Sequence, residues 1–474
     1  MNEDLVEYVI ESTLKRGADY ADVRNETHFV ETVTIAKGNV TRALVCRKAG
    51  IGVRVLKDNG WGFQSTTDLT KNGVSDAIDI SLSAAKASSK HITTPVKLAE
   101  SLVHEDSYGV KVKVDLENVH LEDKINYAKE LEKSFYVSDH ITTGSLEYTG
   151  FKIDKFFANT DGSRIRFRNS MLWVNLRAQA AEGETKRSFS LRGGIGGTGG
   201  YELFRNENAV KTVKEVGVKA DNLLKAKPAK EEENATVILA PSYVKIVAHE
   251  ICGHASEADR VLGSEAAYTG TSWWAGQLNK KIGSESMTVY DDPTVQGSLG
   301  YYLYDDEGVR AGKKILVEKG IVKAYLQSRE TAPIFGVESN ASMRAISYEH
   351  IPLIRMSNTY FAPGDWTLDE MMEGIKHGYY VSTMNRPSID SRRYNWAIGA
   401  WEAYEIKDGE LSTPLFGVVL VSNASNFFLS IDAASKDYEI LPYPGCGKGD
   451  PLQPGYLGNG GPYIRGIADV RGGG

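Results

Sequence analysis

Histidine and glutamate stand side by side at His249-Glu250, and a second histidine follows at His254. Neutral imidazoles bind zinc and leave positions open for water or substrate. A carboxylate next to a metal ligand can take the proton from an attacking water. His249 and His254 are therefore candidate metal ligands and Glu250 a candidate general base for metal-assisted hydrolysis. The spacing is unusual. In the familiar H-E-x-x-H helix the histidines are four apart and share one face. Here they are five apart, which on an ideal α-helix turns them about 140° from each other. Both can meet one ion only if the backbone leaves α-helical geometry, and Gly253 beside the second histidine suits that demand. Irregular backbone is predicted over Cys252 to His254.

A third ligand must come from elsewhere. Glu257 and Asp259 are near in sequence. Cys446 is more unusual, because it sits in Pro442-Tyr443-Pro444-Gly445-Cys446-Gly447-Lys448-Gly449. Those prolines and glycines predict a loop, not a helix or a central strand. Cysteine ordinarily prefers burial as a small apolar residue, so one bracketed by glycines invites a ligand or reactivity explanation. Cys252 and Cys46 are read as packing residues.

The elements that must position these groups can be read from periodicity. A helix carrying His249 is predicted to start after Pro241, with Ser242 as its cap, behind the apolar run Ala235–Ala240. Upstream, helical spacing covers Asp4–Arg16, Asp68–Lys90, Leu121–Val137 and Asn208–Leu224. Strand-like runs include Thr32–Ile35, Ala43–Lys48, and Gly52–Leu56 with Gly62–Thr66 around the hairpin signal Asp58-Asn59-Gly60. Further runs fall between Thr142 and Ala178, split by turn residues. Lys225–Asn234 reads as a charged linker. Beyond Ala275 the pattern becomes short strands and turns. The expected fold class is α+β and multi-domain. N-terminal α/β-type segments, 1–105 and 106–230, precede a mainly antiparallel β domain, 231–474, that carries the metal-binding helix.

Gly194-Ile195-Gly196-Gly197-Thr198-Gly199 matches G-x-G-x-x-G, but Gly200–Phe204 intervenes before the next helix, so a loop is preferred to a dinucleotide site. Asp305-Asp306-Glu307 is read as a charged turn in preference to a cation site. Trp273-Trp274 is assigned to core or interface packing. The chain has 474 residues, 25% of them charged, and a net charge of −7. That balance argues against nucleic-acid or anionic-membrane binding. No stretch approaches the roughly 18 apolar residues of a membrane helix. No secretory signal is evident, and three cysteines do not make a disulfide framework, so a cytoplasmic location is expected.

Taken in order, several motifs resemble the TldD/PmbA metalloprotease family on its metal-bearing TldD side. They are His249-Glu250-Ile251-Cys252-Gly253-His254, Gly270-Thr271-Ser272, Tyr304-Asp305-Asp306-Glu307-Gly308, Arg355-Met356-Ser357-Asn358-Thr359-Tyr360 and Cys446-Gly447-Lys448. Gly449-Asp450-Pro451 departs from the bacterial pattern. The resemblance implies zinc held by His249, His254 and Cys446, with Glu250 as the catalytic glutamate. It also implies cleavage of unfolded or extended peptides, and a homodimer or a heterodimer with a PmbA-like subunit. The aromatics near the metal motif, Trp273-Trp274 among them, are expected to offer apolar surface for that pairing. The competing class is a non-catalytic, metal-stabilised interaction or chaperone-like protein.

Overall fold

The computed structural model describes residues 3–92, 94–265 and 270–472. It is an α+β fold built on two large sheets. The first sheet opens with Tyr20–Ala36, Asn39–Lys57 and Gly60–Thr66 joined as tight hairpins. Their turns place Lys37-Gly38 and Asp58-Asn59 at positive φ, the conformation a two-residue hairpin matched to strand twist requires. The short apolar runs of the sequence thus merge into longer strands, because backbone pairing continues through their polar residues. Ile141–Asn159, Arg164–Glu182, Thr185–Thr198 and the parallel edge strand Glu105–Gly109 complete seven strands. The helices Glu3–Lys15, Lys71–Ser89, Leu121–Glu132 and Glu207–Asn222 pack on this sheet, and Thr70 caps the second of them.

Two sequence expectations change here. The glycine run at 193–200 is not a loop, since most of it lies in the strand Thr185–Thr198. At Gly193, φ is +65° and a Cβ would stand 2.7 Å from the Pro442 carbonyl oxygen, so glycine permits close backbone approach. Cys46 is exposed on the strand Asn39–Lys57, not packed. Its part of the strand pairs on one side only, which leaves it outside the core.

The second sheet has twelve strands, mostly antiparallel. Its long strand Gln453–Gly472 pairs with Glu232–Leu239, Ala433–Lys448, Asn358–Phe361 and Val418–Asn423. Glu232–Leu239 leads directly into the helix Pro241–Val247. Ala240 occupies the cap position and proline the first turn, where its missing N–H costs nothing. Ser242 is not the cap; its Oγ accepts the Thr383 N–H at 3.0 Å. Val244, Val247 and Ile251 of this helical segment are fully buried in the main apolar core with Trp274, Phe361 and Phe427. Each such aliphatic side chain contributes about 1.5–3 kcal/mol. The segment that carries His249, Glu250 and His254 is therefore anchored by packing. Trp273 and Trp274 are buried in this core and do not form the exposed apolar surface expected for pairing.

Asp305-Asp306-Glu307 is a turn, but a buried one. Lys155 donates to Asp306 at 2.6 Å, and Arg54 bridges Asp22 at 2.6 Å and Glu307 at 3.3 Å. The turn thus ties the second half of the chain to the first sheet with paired buried charges.

Candidate metal centre

The helix Pro241–Val247 continues as a π-helix over Ala248–Gly253 and a 3₁₀ turn over His254–Ser256. The His254 N–H donates to the His249 carbonyl, five residues back. This widened turn brings residues five apart onto one face, which answers the spacing problem. The distortion starts earlier than Cys252, at Ala248. Gly253 has ordinary helical φ. Its role is close approach, since a Cβ there would meet the Met356 sulfur at 2.5 Å. Cys252 points into the core, where burial pushes its thiol well up.

Cys446 reaches the histidines from the strand Ala433–Lys448. The predicted loop is an edge strand that around Cys446 pairs with Gln453–Gly472 and is bulged between Pro444 and Cys446. An edge tolerates the two prolines, and the bulge, with Gly445 at φ +90°, re-aims the cysteine. Arg355 donates to the Cys446 carbonyl at 2.9 Å and the Gln453 carbonyl at 3.1 Å, fixing both arms of this hairpin.

His249, His254 and Cys446 are all buried, and their ligand atoms lie within 4.8 Å of one another. Among the described residues they are the one such convergence of three metal-binding side chains. Cys446 Sγ is 3.2 Å from His254 Nε2. Each histidine is oriented from behind. His249 Nδ1 bonds Asn459 Oδ1 at 3.0 Å, while Asn459 Nδ2 donates to the Thr359 carbonyl, so Nδ1 is the donor. His254 Nδ1 donates to Glu257 at 2.9 Å. Both Nε2 atoms are thereby left for a metal. Burial would raise the Cys446 thiol, but His249, His254 and Arg355 outweigh it and hold the thiol well below its usual range. Burial alone would lower His249, and the facing Cys446 raises it. Two imidazoles and a thiolate-prone cysteine fit zinc, and the three open onto a cavity of about 490 Å³ with room for a fourth ligand.

The other candidate ligands stand elsewhere. Glu257 lies behind His254, where Arg260 at 2.9 Å and Lys448 at 3.1 Å also hold it. Burial would raise its carboxyl, yet Lys448, His254 and Arg260 keep it well below the usual range. Asp259 pairs with Lys448 at 2.7 Å. Glu257→Gln is expected to weaken zinc affinity by roughly 10–100-fold, since the amide cannot charge-assist the imidazole. Competition with a chelator measures this, with circular dichroism checking the fold. Unchanged affinity in a folded variant would remove the role.

Glu250 lines the same cavity, partly exposed, and accepts from Arg393 at 2.6 Å. Arg393 comes from the turn between the strands His377–Ile389 and Asn395–Lys407 at φ +65°. Tyr443 places its ring 4.4 Å from that of His249. Sequence reasoning assigned no role to Asn459, Arg393 or Tyr443. Two are distant in sequence from the histidines on unremarkable strands or turns, and Tyr443, though in the Cys446 motif, carried no spacing signal.

Profiles of the PmbA/TldA metallopeptidase domains match residues 21–88, 114–224 and 232–468, the last being the C-terminal domain. The chain belongs to the PmbA/TldD metallopeptidase family. It is 32% identical over 465 residues to a metalloprotease of Methanocaldococcus jannaschii, covering 97% of this chain and 98% of that one. A zinc metalloprotease TldD homolog of Saccharolobus solfataricus is 29% identical over 95% of each chain. The crystal structure of TldE from Thermococcus kodakarensis superposes with a TM-score of 0.76 at 19% identity, over 99% of this chain and 100% of that one. The last comparison establishes the common fold. No helix among the described residues is long and apolar enough to cross a membrane.

Proposed function

We propose that this protein is a zinc-dependent peptidase that cleaves unfolded or extended peptides, with zinc on His249, His254 and Cys446 and Glu250 as general base. The convergence of three donors, with no fourth among the described residues, beside an open cavity lined by the Glu250 carboxylate carries this reading. A structural zinc site would be closed by a fourth protein ligand. Zinc, once bound, supplies Lewis acidity for polarising a carbonyl and acidifying water. The chain's own residues do the rest. Asn459 and Glu257 hold the imidazoles in the ligating tautomer. Arg393 fixes the direction of the Glu250 carboxylate, which accepts the proton of the attacking water.

Cavities of about 280 and 1060 Å³ adjoin the central one, across Pro387 and Tyr443 on one side and Ile389 and Asp390 on the other. A cleft of that extent supports an extended peptide as substrate. Pairing of two copies, or with a PmbA-like subunit, is part of the same reading. The outer edge of Asn39–Lys48 is unpaired by other strands and exposes Val40, Leu44 and Val45, which supports a partner there. The test is digestion of one protein in folded and denatured forms by sized fractions, with and without chelator. Zinc-dependent cleavage of the denatured form by a dimeric fraction is expected. Absence of any metal-dependent cleavage would sink the enzyme reading, and an active monomer would sink the assembly.

A further inference from the structure

Lys245 lies one helical turn before His249 on the same helical segment. It is only 4% exposed, yet among the described residues the one hydrogen-bond partner of its ammonium is the Arg192 carbonyl at a long 3.4 Å. No carboxylate among the described residues pairs with it. Glu439 acts on it only through space. A buried ammonium without a counter-charge is costly and calls for an anion.

The surroundings make the cost larger. Lys245 lines the cavity of about 280 Å³ together with Arg192 and Arg386, neither of which forms an ion pair with a described residue. Burial and the Arg192 charge lower the Lys245 ammonium to about 8. Arg192 arrives on the glycine-rich strand Thr185–Thr198, which Gly193 brings against Pro442. Arg386 sits at a β-bulge with φ +42°. Bulges and positive φ at a non-glycine residue re-aim side chains at functional sites. Two separate backbone devices thus carry positive charge to a third, buried one. The cavity meets the metal cavity at Tyr443, whose ring packs on His249.

We propose that Lys245, Arg192 and Arg386 form a carboxylate-binding subsite beside the metal centre, selecting peptides with an acidic side chain or a free C-terminal carboxylate close to the cleaved bond. This rests on the peptidase reading above. Guanidinium and ammonium groups bind carboxylates through charge-assisted hydrogen bonds, which strengthen where water is excluded.

Fluorescent peptides differing by one Glu→Gln exchange, each made with a free and an amidated C-terminus, test it on the zinc-loaded protein. Binding is read by anisotropy and cleavage by chromatography. The carboxylate form should bind at least about ten-fold more tightly, on the order of 1.4 kcal/mol. Lys245→Met keeps the volume and removes a buried charge, so it should fold and lose most of the preference. Arg192→Ala and Arg386→Ala, at exposed positions, should each lose part of it. Loss on Glu→Gln exchange identifies the side chain, and loss on amidation the chain terminus. Equal binding of all forms, or a preference that survives all three substitutions, overturns the subsite. Discrimination without cleavage leaves the subsite standing and defeats the peptidase reading. Cleavage without discrimination does the reverse.

Discussion

Cys446→Ala is expected to lose zinc, with affinity down by more than about a hundredfold. Replacing a residue that merely orients a ligand costs roughly 10–100-fold, and removal of a ligand costs more. Cys446 is the one anionic donor of the three, since its thiol is held well below the usual range by His249, His254 and Arg355 despite burial. The other groups beside it are committed elsewhere, Asp390 among them, which accepts from the Tyr394 and Asn395 N–H groups. Gly445 and Gly447 have no side chains, Glu257 is spent on His254, Arg260 and Lys448, and Glu250 is held by Arg393. The small side chain at the bulge should leave the hairpin intact, because Arg355 grips backbone carbonyls and not the sulfur. Elemental analysis after dialysis measures the metal, and circular dichroism verifies the fold. Full zinc occupancy in a folded variant would show that the ligand is another residue.

Glu250→Gln should keep zinc and lose peptide hydrolysis by about 10²–10⁴-fold, the usual worth of a positioned general base. The amide preserves the shape and can still accept from Arg393 through its carbonyl, so the cavity is undisturbed. It cannot accept a proton from water. In the proposed site the ligating atoms belong to other side chains, so metal content should not follow activity. Loss of both together would make Glu250 a ligand, and retention of both would transfer the base to another group.

Much of the centre was legible in the chain. His249, Glu250 and His254 announce themselves by type, and their five-residue spacing demanded a distorted helix. The π-helix over Ala248–Gly253 meets that demand, though it begins at Ala248 and not at Cys252. Cys446 stood out because a cysteine bracketed by glycines invites a ligand explanation beside the ordinary one of a buried packing residue. The same prolines and glycines misled about local structure. They exclude a central strand, but an edge strand with a bulge accommodates them, and edge position is a property of the sheet. The glycine run at 193–200 failed for a related reason, since its backbone pairs with Arg164–Glu182 and lies against Pro442. Cys46 and the Trp273-Trp274 pair show the limit for burial. Residue type favoured burial for all three, and only the neighbours decided that Cys46 is exposed and the tryptophans are core.

By itself the sequence pointed to the candidate donor types and a candidate base, and it determined the need for irregular helical backbone and the α+β class. These follow from side-chain chemistry and from periodicity over a few turns, which are local. The tertiary structure decided which distant groups meet them. It put Asn459 behind His249, moved Glu257 from candidate ligand to support of His254, set Arg393 on Glu250 and gathered Lys245, Arg192 and Arg386 around one cavity. Those pairings depend on strand register and on the packing of one sheet against another. Contacts between residues as much as 210 positions apart, as for His249 and Asn459, leave no periodic trace in the chain.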